Sequence, residues 1–256
     1  MSDTVGRFLA AGNVAEVFEW DLRVVKLYRS PAAKPAAFRE AAIHAAVEAM
    51  GIPVPAVWGV RQIGSRWGVV FDRVCQASFA EQMREDPIAI QRYIEKLVQL
   101  HTSIHGRPAP QLGSLKIRLA TNIARTELLD EPRKQLLLNG LADMPEGDRL
   151  CHGDFHPINV LGEISRPVVI DWPDACRGDP AADVCRSYLL LKFHAEEIAE
   201  PYLEAYCRVN DATESSRPIN TVTRHEILDW LPYVAAARLA ENVPNDYDRL
   251  LKIVYP

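Results

Sequence analysis

Apolar and polar positions alternate in short runs through the first third of the chain. Ala15–Trp20 and Leu22–Tyr28 are β-rich segments separated by a turn near Asp21, the pattern of a hairpin. From Ala36 to Met50 the period changes, and Phe38, Ala42, Ile43, Ala46, Val47 and Met50 recur at helical spacing. Gly51 supplies the stop, and Pro53 and Pro55 keep the following chain extended. Trp58–Ile63 and Trp67–Val74 predict two further strands joined around Gly64-Ser65. The segment 1–74 therefore predicts a small antiparallel sheet with one helix.

Beyond Val74 the spacing is mostly helical. In Ile88–His105, residues Ile90, Ile94, Leu97, Val98, His101 and Ile104 share one face, closed by Gly106 and Pro108. Further helices are predicted at Leu115–Leu129, Pro132–Leu141, Ala181–His194, Glu197–Arg208 and Arg224–Glu241, with Pro132 suited to a first turn and Pro232 predicting a kink or break. Such apolar stripes are core far more often than ligand boxes. Among them lies Asp148–Asp183, rich in Gly, Pro, Asp and His, with two short strand-like runs, Asn159–Gly162 and Pro167–Asp171. A long polar segment inside a helical region marks a working loop.

Composition narrows the class. The 256 residues suffice for one large domain or two lobes, and 48% hydrophobic with 25% charged residues is ordinary for a globular protein. The net charge of −5, with basic residues scattered among acidic ones, argues against a nucleic-acid partner. Five cysteines without a C-x-x-C pair fit free thiols rather than disulfides or a zinc site. The N-terminus lacks the pattern of a signal peptide, and no apolar run approaches the ~18 residues of a membrane span. A soluble cytoplasmic protein with no membrane partner is expected.

The chemistry concentrates in Cys151-His152-Gly153-Asp154-Phe155-His156-Pro157-Ile158-Asn159-Val160-Leu161, followed by Val168-Val169-Ile170-Asp171-Trp172. Phosphoryl transfer needs a carboxylate facing the attacking hydroxyl, oxygen ligands for magnesium and a cation on the triphosphate. Asp154 and Asn159, five apart on a turn-forming loop, can point into one cavity, and Asp171 ends an apolar run that fixes its place. Magnesium prefers such oxygen ligands. A single loop Asp is more often a turn former or helix cap, and a single His more often a structural hydrogen-bonding group. The joint pattern of Asp154, Asn159 and Asp171 outweighs that reading. His156 remains a phosphate or loop contact.

At these residues the chain resembles the phosphotransferase family that includes aminoglycoside and choline kinases, through an H-G-D-x-x-x-x-N loop, an I-D-W segment and the later Gly178-Asp179-Pro180-Ala181-Ala182-Asp183 element. Gly113–Leu128 and Gly147-Asp148-Arg149-Leu150 are similar to bacterial members. The resemblance implies an α+β, bilobal protein-kinase-like fold, with an N-lobe over 1–74 and a mostly helical C-lobe over 75–256. It implies Asp154 as catalytic base, Asn159 and Asp171 as magnesium ligands, His152 as a brace and Asp183 as a buried anchor for the loop. Lys26, on the strand-like Val24–Tyr28, is similar to the triphosphate-binding lysine, and Glu40 to the glutamate that pairs with it, although Glu48 shares its helix. The phosphate-covering loop Ala10–Val17 departs from the protein-kinase pattern in having one glycine, which makes Asn13 its expected polar contributor. Phe71-Asp72-Arg73-Val74 falls where a hinge backbone would meet adenine, so Phe71 and Arg73 join the cofactor-binding set.

The implied activity is transfer of the γ-phosphoryl group of ATP or GTP, with Mg2+, to a hydroxyl. Only eleven residues separate Asp171 from Asp183, too few for an activation segment and peptide platform, and this favours a small-molecule acceptor. Glu196, Glu197, Glu200, Asp229 and Glu241 could draw a cationic amino sugar or amino alcohol, though most such residues are solvated helix faces. The alternatives are a nucleotide-binding protein without transfer activity, a protein kinase with a reduced platform, and a metal hydrolase using His152, Asp154 and His156.

Overall fold

The computed structural model describes residues 5–211 and 222–256. Its elements begin with β1 (Phe8–Ala11), β2 (Ala15–Trp20), β3 (Arg23–Tyr28), α1 (Lys34–Ala49), β4 (Val57–Ile63), β5 (Arg66–Asp72) and α2 (Phe79–Glu85). Next come α3 (Ile90–His105), α4 (Leu115–Arg125), α5 (Glu131–Asp143), β6 (Arg149–Cys151), β7 (Val160–Leu161), β8 (Val168–Val169) and β9 (Cys176–Gly178). They continue with α6 (Pro180–His194), α7 (Glu196–Asp211), α8 (Arg224–Asp229), α9 (Leu231–Arg238) and α10 (Tyr247–Val254). The chain divides into two compact units, Met1–Glu85 with Ile158–Pro173, and Asp86–Pro157 with Asp174–Pro256.

In the first unit the sheet is antiparallel in the order β1-β2-β3-β5-β4. The two-residue period of β3 sorts its side chains by face. Val25 and Leu27 pack with Trp20 and Val70 on one side, while Tyr28 packs with Ala15, Val69, Phe71 and Ala37 of α1 on the other. Lys26 is opposite Val69 in the ladder and shares the α1 face. Alanines at 33, 36, 37 and 41 let α1 approach that face closely. β1 was not foreseen, because its four residues are mostly exposed and it pairs only with β2 at the sheet edge.

The segment Ile158–Pro173 groups with this sheet rather than with the helices that follow it in sequence. Backbone bonds explain why: Val169 N donates to Pro53 O at 2.8 Å and Gly162 N to Ala77 O at 3.2 Å. The Gln82 amide adds a bond to Gly162 O at 2.8 Å.

In the second unit α3 buries Ile94, Leu97, Val98, His101 and Ile104, the face its period predicts. α6 is buried almost all round over Ala181–Leu191, so it lacks a clean polar stripe. The helix expected over Arg224–Glu241 is broken: α8 ends at Asp229 and α9 restarts at Leu231 with Pro232 in its first turn, where the missing N–H costs nothing. α2 and α10, of 7 and 8 residues, are too short to stand out by period.

Candidate active site

In the first unit, β3 and α1 bring Lys26 to Glu40. Lys26 Nζ donates to Glu40 Oε1 at 2.8 Å and to Asp171 Oδ1 at 2.7 Å. The Tyr28 hydroxyl donates to Glu40 Oε2 at 2.5 Å, so the buried carboxylate is held at both oxygens. Burial works against the Lys26 ammonium, but the attraction of Asp171 and Glu40 outweighs it and raises its pKa above the ordinary lysine value. Tyr28 is raised as well, by burial and by the Glu40 charge. The two shifts keep the lysine charged and the phenol protonated. Glu48, the other glutamate of α1, instead accepts from the backbone N–H of Val57 at 3.2 Å.

Asn159 and Asp171 flank the two-residue ladder of β7 and β8, in which Val160 is opposite Val169. Ile170 N donates to Asn159 O at 2.9 Å, which closes that end of the ladder and leaves Asp171 as the next residue. Asp171 has φ 66°, a left-handed conformation that Asp tolerates better than most residues. The adjacent Trp172 is wholly buried and its indole N–H donates to Val169 O at 3.0 Å, which pins the turn. Asn13 lies exposed in the β1–β2 turn beside Gly12, whose N–H donates to Ala15 O. Phe71 is buried against the His44 ring at 4.7 Å, and the Arg73 guanidinium pairs with Glu19 at 2.9 Å.

In the second unit, β6 pairs with β9 and delivers the chain to His152 and Asp154. Gly153 has φ +82°, and a Cβ there would stand 2.5 Å from Asp174 O and 2.8 Å from the Arg118 guanidinium, so only glycine fits. The loop is held by Asp183: its Oδ2 accepts from His152 N at 2.7 Å and its Oδ1 from Gly153 N at 2.8 Å. The Asp154 carboxylate meets His156 Nε2 at 3.3 Å through Oδ2 and Arg186 Nη2 at 3.2 Å through Oδ1. Burial would raise its pKa, but the His156 bond and the Arg186 charge prevail and hold it well below the usual carboxylate range.

Asp183 is also the centre of a buried cluster. His101 Nε2 and His105 Nε2 lie 3.0 and 3.1 Å from its Oδ2, while the Nδ1 atoms lie 2.5 Å from Tyr202 Oη and 2.7 Å from Tyr206 Oη. With Asp183 ionised, each imidazole donates to it from Nε2, and the neutral His101 ring accepts from the Tyr202 hydroxyl at Nδ1. Among the described residues these three are the one group of His, Cys, Asp or Glu close enough to hold a metal. Every ring nitrogen is already engaged by a protein partner, so the cluster needs no ion. It is not the His152, Asp154 and His156 set of the hydrolase alternative.

Burial outweighs the pull of Asp183 and lowers His101 to a pKa of about 3. Asp183 itself is pushed well below the ordinary value, its histidine bonds overcoming burial. A histidine neutral in the fold takes up a proton on unfolding below its ordinary 6.5, so its contribution is whole above pH 6.5 and is lost as pH falls toward 3. Asp183 adds loss in the same direction below about pH 4. Thermal and urea unfolding from pH 7 to pH 4 should show stability falling by up to about 1.4 kcal/mol per pH unit below 6.5.

The acidic residues expected to draw a cationic acceptor are largely engaged. Glu200 accepts from Arg224 at 2.8 Å and Tyr188 at 2.6 Å, Glu196 pairs with Lys192 at 2.9 Å, and Glu241 pairs with Arg186 and Arg238. Asp229 lies 3.6 Å from His225 on the same helix.

The sequence matches the model of the phosphotransferase enzyme family over residues 7–219. The chain belongs to that family. Similar solved structures include the aminoglycoside phosphotransferase APH(4)-Ia, with 17% identity, 99% of this chain and 94% of that one covered, and a TM-score of 0.69. An aminoglycoside-3'-phosphotransferase of type VIII has 22% identity, 93% and 92% coverage and a TM-score of 0.59. The choline kinase LicA from Streptococcus pneumoniae has 14% identity, 98% and 93% coverage and a TM-score of 0.64. No curated protein matches. The expected α+β kinase-like fold is thus shown, and the chain is a member of a phosphotransferase enzyme family. No helix among the described residues is long and apolar enough to cross a membrane.

For this phosphotransferase the sequence reading missed Tyr28, Arg186 and the His101–Tyr202 and His105–Tyr206 pairs. Arg186 had a local signal, because it lies one helical turn from Asp183. The tyrosines are 101 residues from their histidines and had none.

Proposed function

We propose that this phosphotransferase moves the γ-phosphoryl group of ATP or GTP to a hydroxyl of a small acceptor, an amino sugar or amino alcohol being the first class to test. The observation that carries the reading is Lys26, whose ammonium joins a helix carboxylate 14 residues away and a loop carboxylate 145 residues away, both within 2.8 Å. Kinase chemistry requires a cation kept charged and fixed beside oxygen ligands.

In this reading the first unit carries the nucleotide-side groups. Lys26 steadies the phosphates, Glu40 and Tyr28 hold Lys26 in place, Asn13 lies in the phosphate-covering turn, and the backbone of Phe71 and Arg73 meets the base. An amide oxygen at Asn159 and a carboxylate at Asp171 are hard donors of the kind magnesium takes, and both residues lie next to the β7–β8 ladder. Bound there, magnesium would neutralise charge on the phosphates. The second unit carries the acceptor-side group. Asp154 is ionised at neutral pH, accepts a hydrogen bond from the acceptor hydroxyl and aligns its oxygen for attack. A carboxylate of such low basicity takes the proton late, as the hydroxyl oxygen bonds to phosphorus. Asp183 and His152 keep the loop in shape. A cytoplasmic setting, where nucleotide is abundant and the five free cysteines stay reduced, belongs to the same reading.

The test is nucleoside-diphosphate release over a panel of amino sugars, amino alcohols, sugars and peptide antibiotics. Release stimulated by one class supports the proposal and names the acceptor; a chain that binds no magnesium nucleotide overturns it. Asp171→Ala should weaken magnesium-dependent nucleotide binding by about tenfold or more, in line with the loss of one charged ligand contact, measured by calorimetry. Unaltered binding would remove Asp171 from the metal site.

A further inference from the structure

α6 carries two charged residues one turn apart, Asp183 and Arg186, which therefore share a face. Asp183 grips the backbone where the Asp154 loop begins. Arg186 grips the side chain of Asp154 itself, Nη2 donating to Oδ1 at 3.2 Å. One helical turn thus holds the loop both by its backbone and by the carboxylate it presents.

The guanidinium is itself oriented from behind. Its Nη1 donates to Glu241 Oε1 at 2.6 Å and its Nη2 to Glu241 Oε2 at 3.2 Å, a fork that fixes the plane of the group. Nη2 therefore splits its two hydrogens between Glu241 and Asp154. Glu241 is fixed in turn by Arg238 at 2.9 Å, and Arg238 by Asp246 at 2.6 Å. The result is a row of alternating charges, Asp154–Arg186–Glu241–Arg238–Asp246, that ends on the one carboxylate assigned to the acceptor. Arg186 Nε is buried without a hydrogen-bond partner.

We propose that Arg186, oriented by Glu241, is the positioning residue that sets the direction of the Asp154 carboxylate toward the acceptor hydroxyl. The inference rests on the phosphotransferase reading given above. It also gives Glu241 a task other than binding a cationic acceptor. Lysine would keep the charge but lacks the planar fork, so it could not serve Glu241 and Asp154 in one geometry.

The experiment measures ADP release from Mg·ATP by the full chain with water as acceptor, and Mg·AMP-PNP affinity by calorimetry. It compares wild type with Arg186→Met, Arg186→Lys and Glu241→Gln, and thermal melting reports which variants fold. Turnover of Arg186→Met at saturating nucleotide should fall by about 10- to 100-fold, the scale of a misplaced reacting group, with nucleotide affinity unchanged. Arg186→Lys should recover part of that loss, and Glu241→Gln should lose less than Arg186→Met. A folded Arg186→Met with wild-type turnover, or one whose whole defect is in nucleotide affinity, overturns the proposal. If the methionine variant does not fold, the lysine and glutamine variants decide: turnover equal to wild type in both overturns it, and reduced turnover with intact affinity upholds it. A wild type that neither binds Mg·AMP-PNP nor releases ADP sinks the phosphotransferase reading and this proposal together. An active wild type beside an indifferent Arg186→Met sinks the proposal alone.

Discussion

Asp154→Ala should lower phosphoryl transfer by about 10²–10⁴-fold, the usual worth of a positioned acid–base group, while nucleotide affinity stays at the wild-type value. The separation follows from where the residue sits. Asp154 bonds His156 and Arg186, whereas Glu40 and Asp171 both accept from Lys26. Removing Asp154 leaves that second set whole. Asp154→Asn should lose nearly as much, because an amide of similar size keeps a carbonyl oxygen but not the charge that the arginine and histidine hold in place. Its NH2 would face donors at Arg186. Steady-state ADP release and calorimetry with a non-hydrolysable nucleotide check both statements. An equal loss of affinity in the Asp154 and Asp171 variants would contradict the division of roles.

Asp183→Asn should lower stability by about 3–5 kcal/mol, the cost of breaking a buried charge network at one member. For a domain of this size that corresponds to a fall of roughly 6–20 °C in Tm. The carboxylate accepts from His152 N, Gly153 N, His101 and His105, and it is 1% exposed, so no water can replace it. Asparagine preserves the volume and leaves no cavity. It turns two N–H groups toward donors that need an acceptor. Two of those donors are backbone groups at the start of the Asp154 loop, so transfer should fall along with stability, even below the new Tm. Differential scanning calorimetry and the ADP-release assay at 15 °C read the two effects separately. A stable Asp183→Asn with a normal melt would mean the cluster is satisfied in another way.

The two glutamates of α1 show how far the sequence reaches. Helical period placed Glu40 and Glu48 on α1, and resemblance favoured Glu40, yet nothing local excluded the other. The fold separates them by packing: the α1 face of β3 carries Lys26 to Glu40, and Glu48 reaches the backbone where β4 begins. In the same way the period of α3 marked His101 as part of a buried face, and it is wholly buried. Period reports that a residue is inside. It does not report what the residue meets there.

What the sequence determined by itself depended on near neighbours. Alternation made the strands, 3.6-residue spacing made the longer helices, Pro232 broke the last predicted one, and the ordered run from His152 to Asp183 carried the resemblance to phosphotransferases. The tertiary structure alone decided which distant groups pair: Tyr202 and Tyr206 with the α3 histidines, Arg186 with Glu241 across 55 positions, and 158–173 with the sheet. The reason is energetic. Local pattern is written by backbone hydrogen bonding and by the side of an element that is apolar. A buried polar group is stable only when its particular partner is present, and that partner is chosen by the packing of the whole chain.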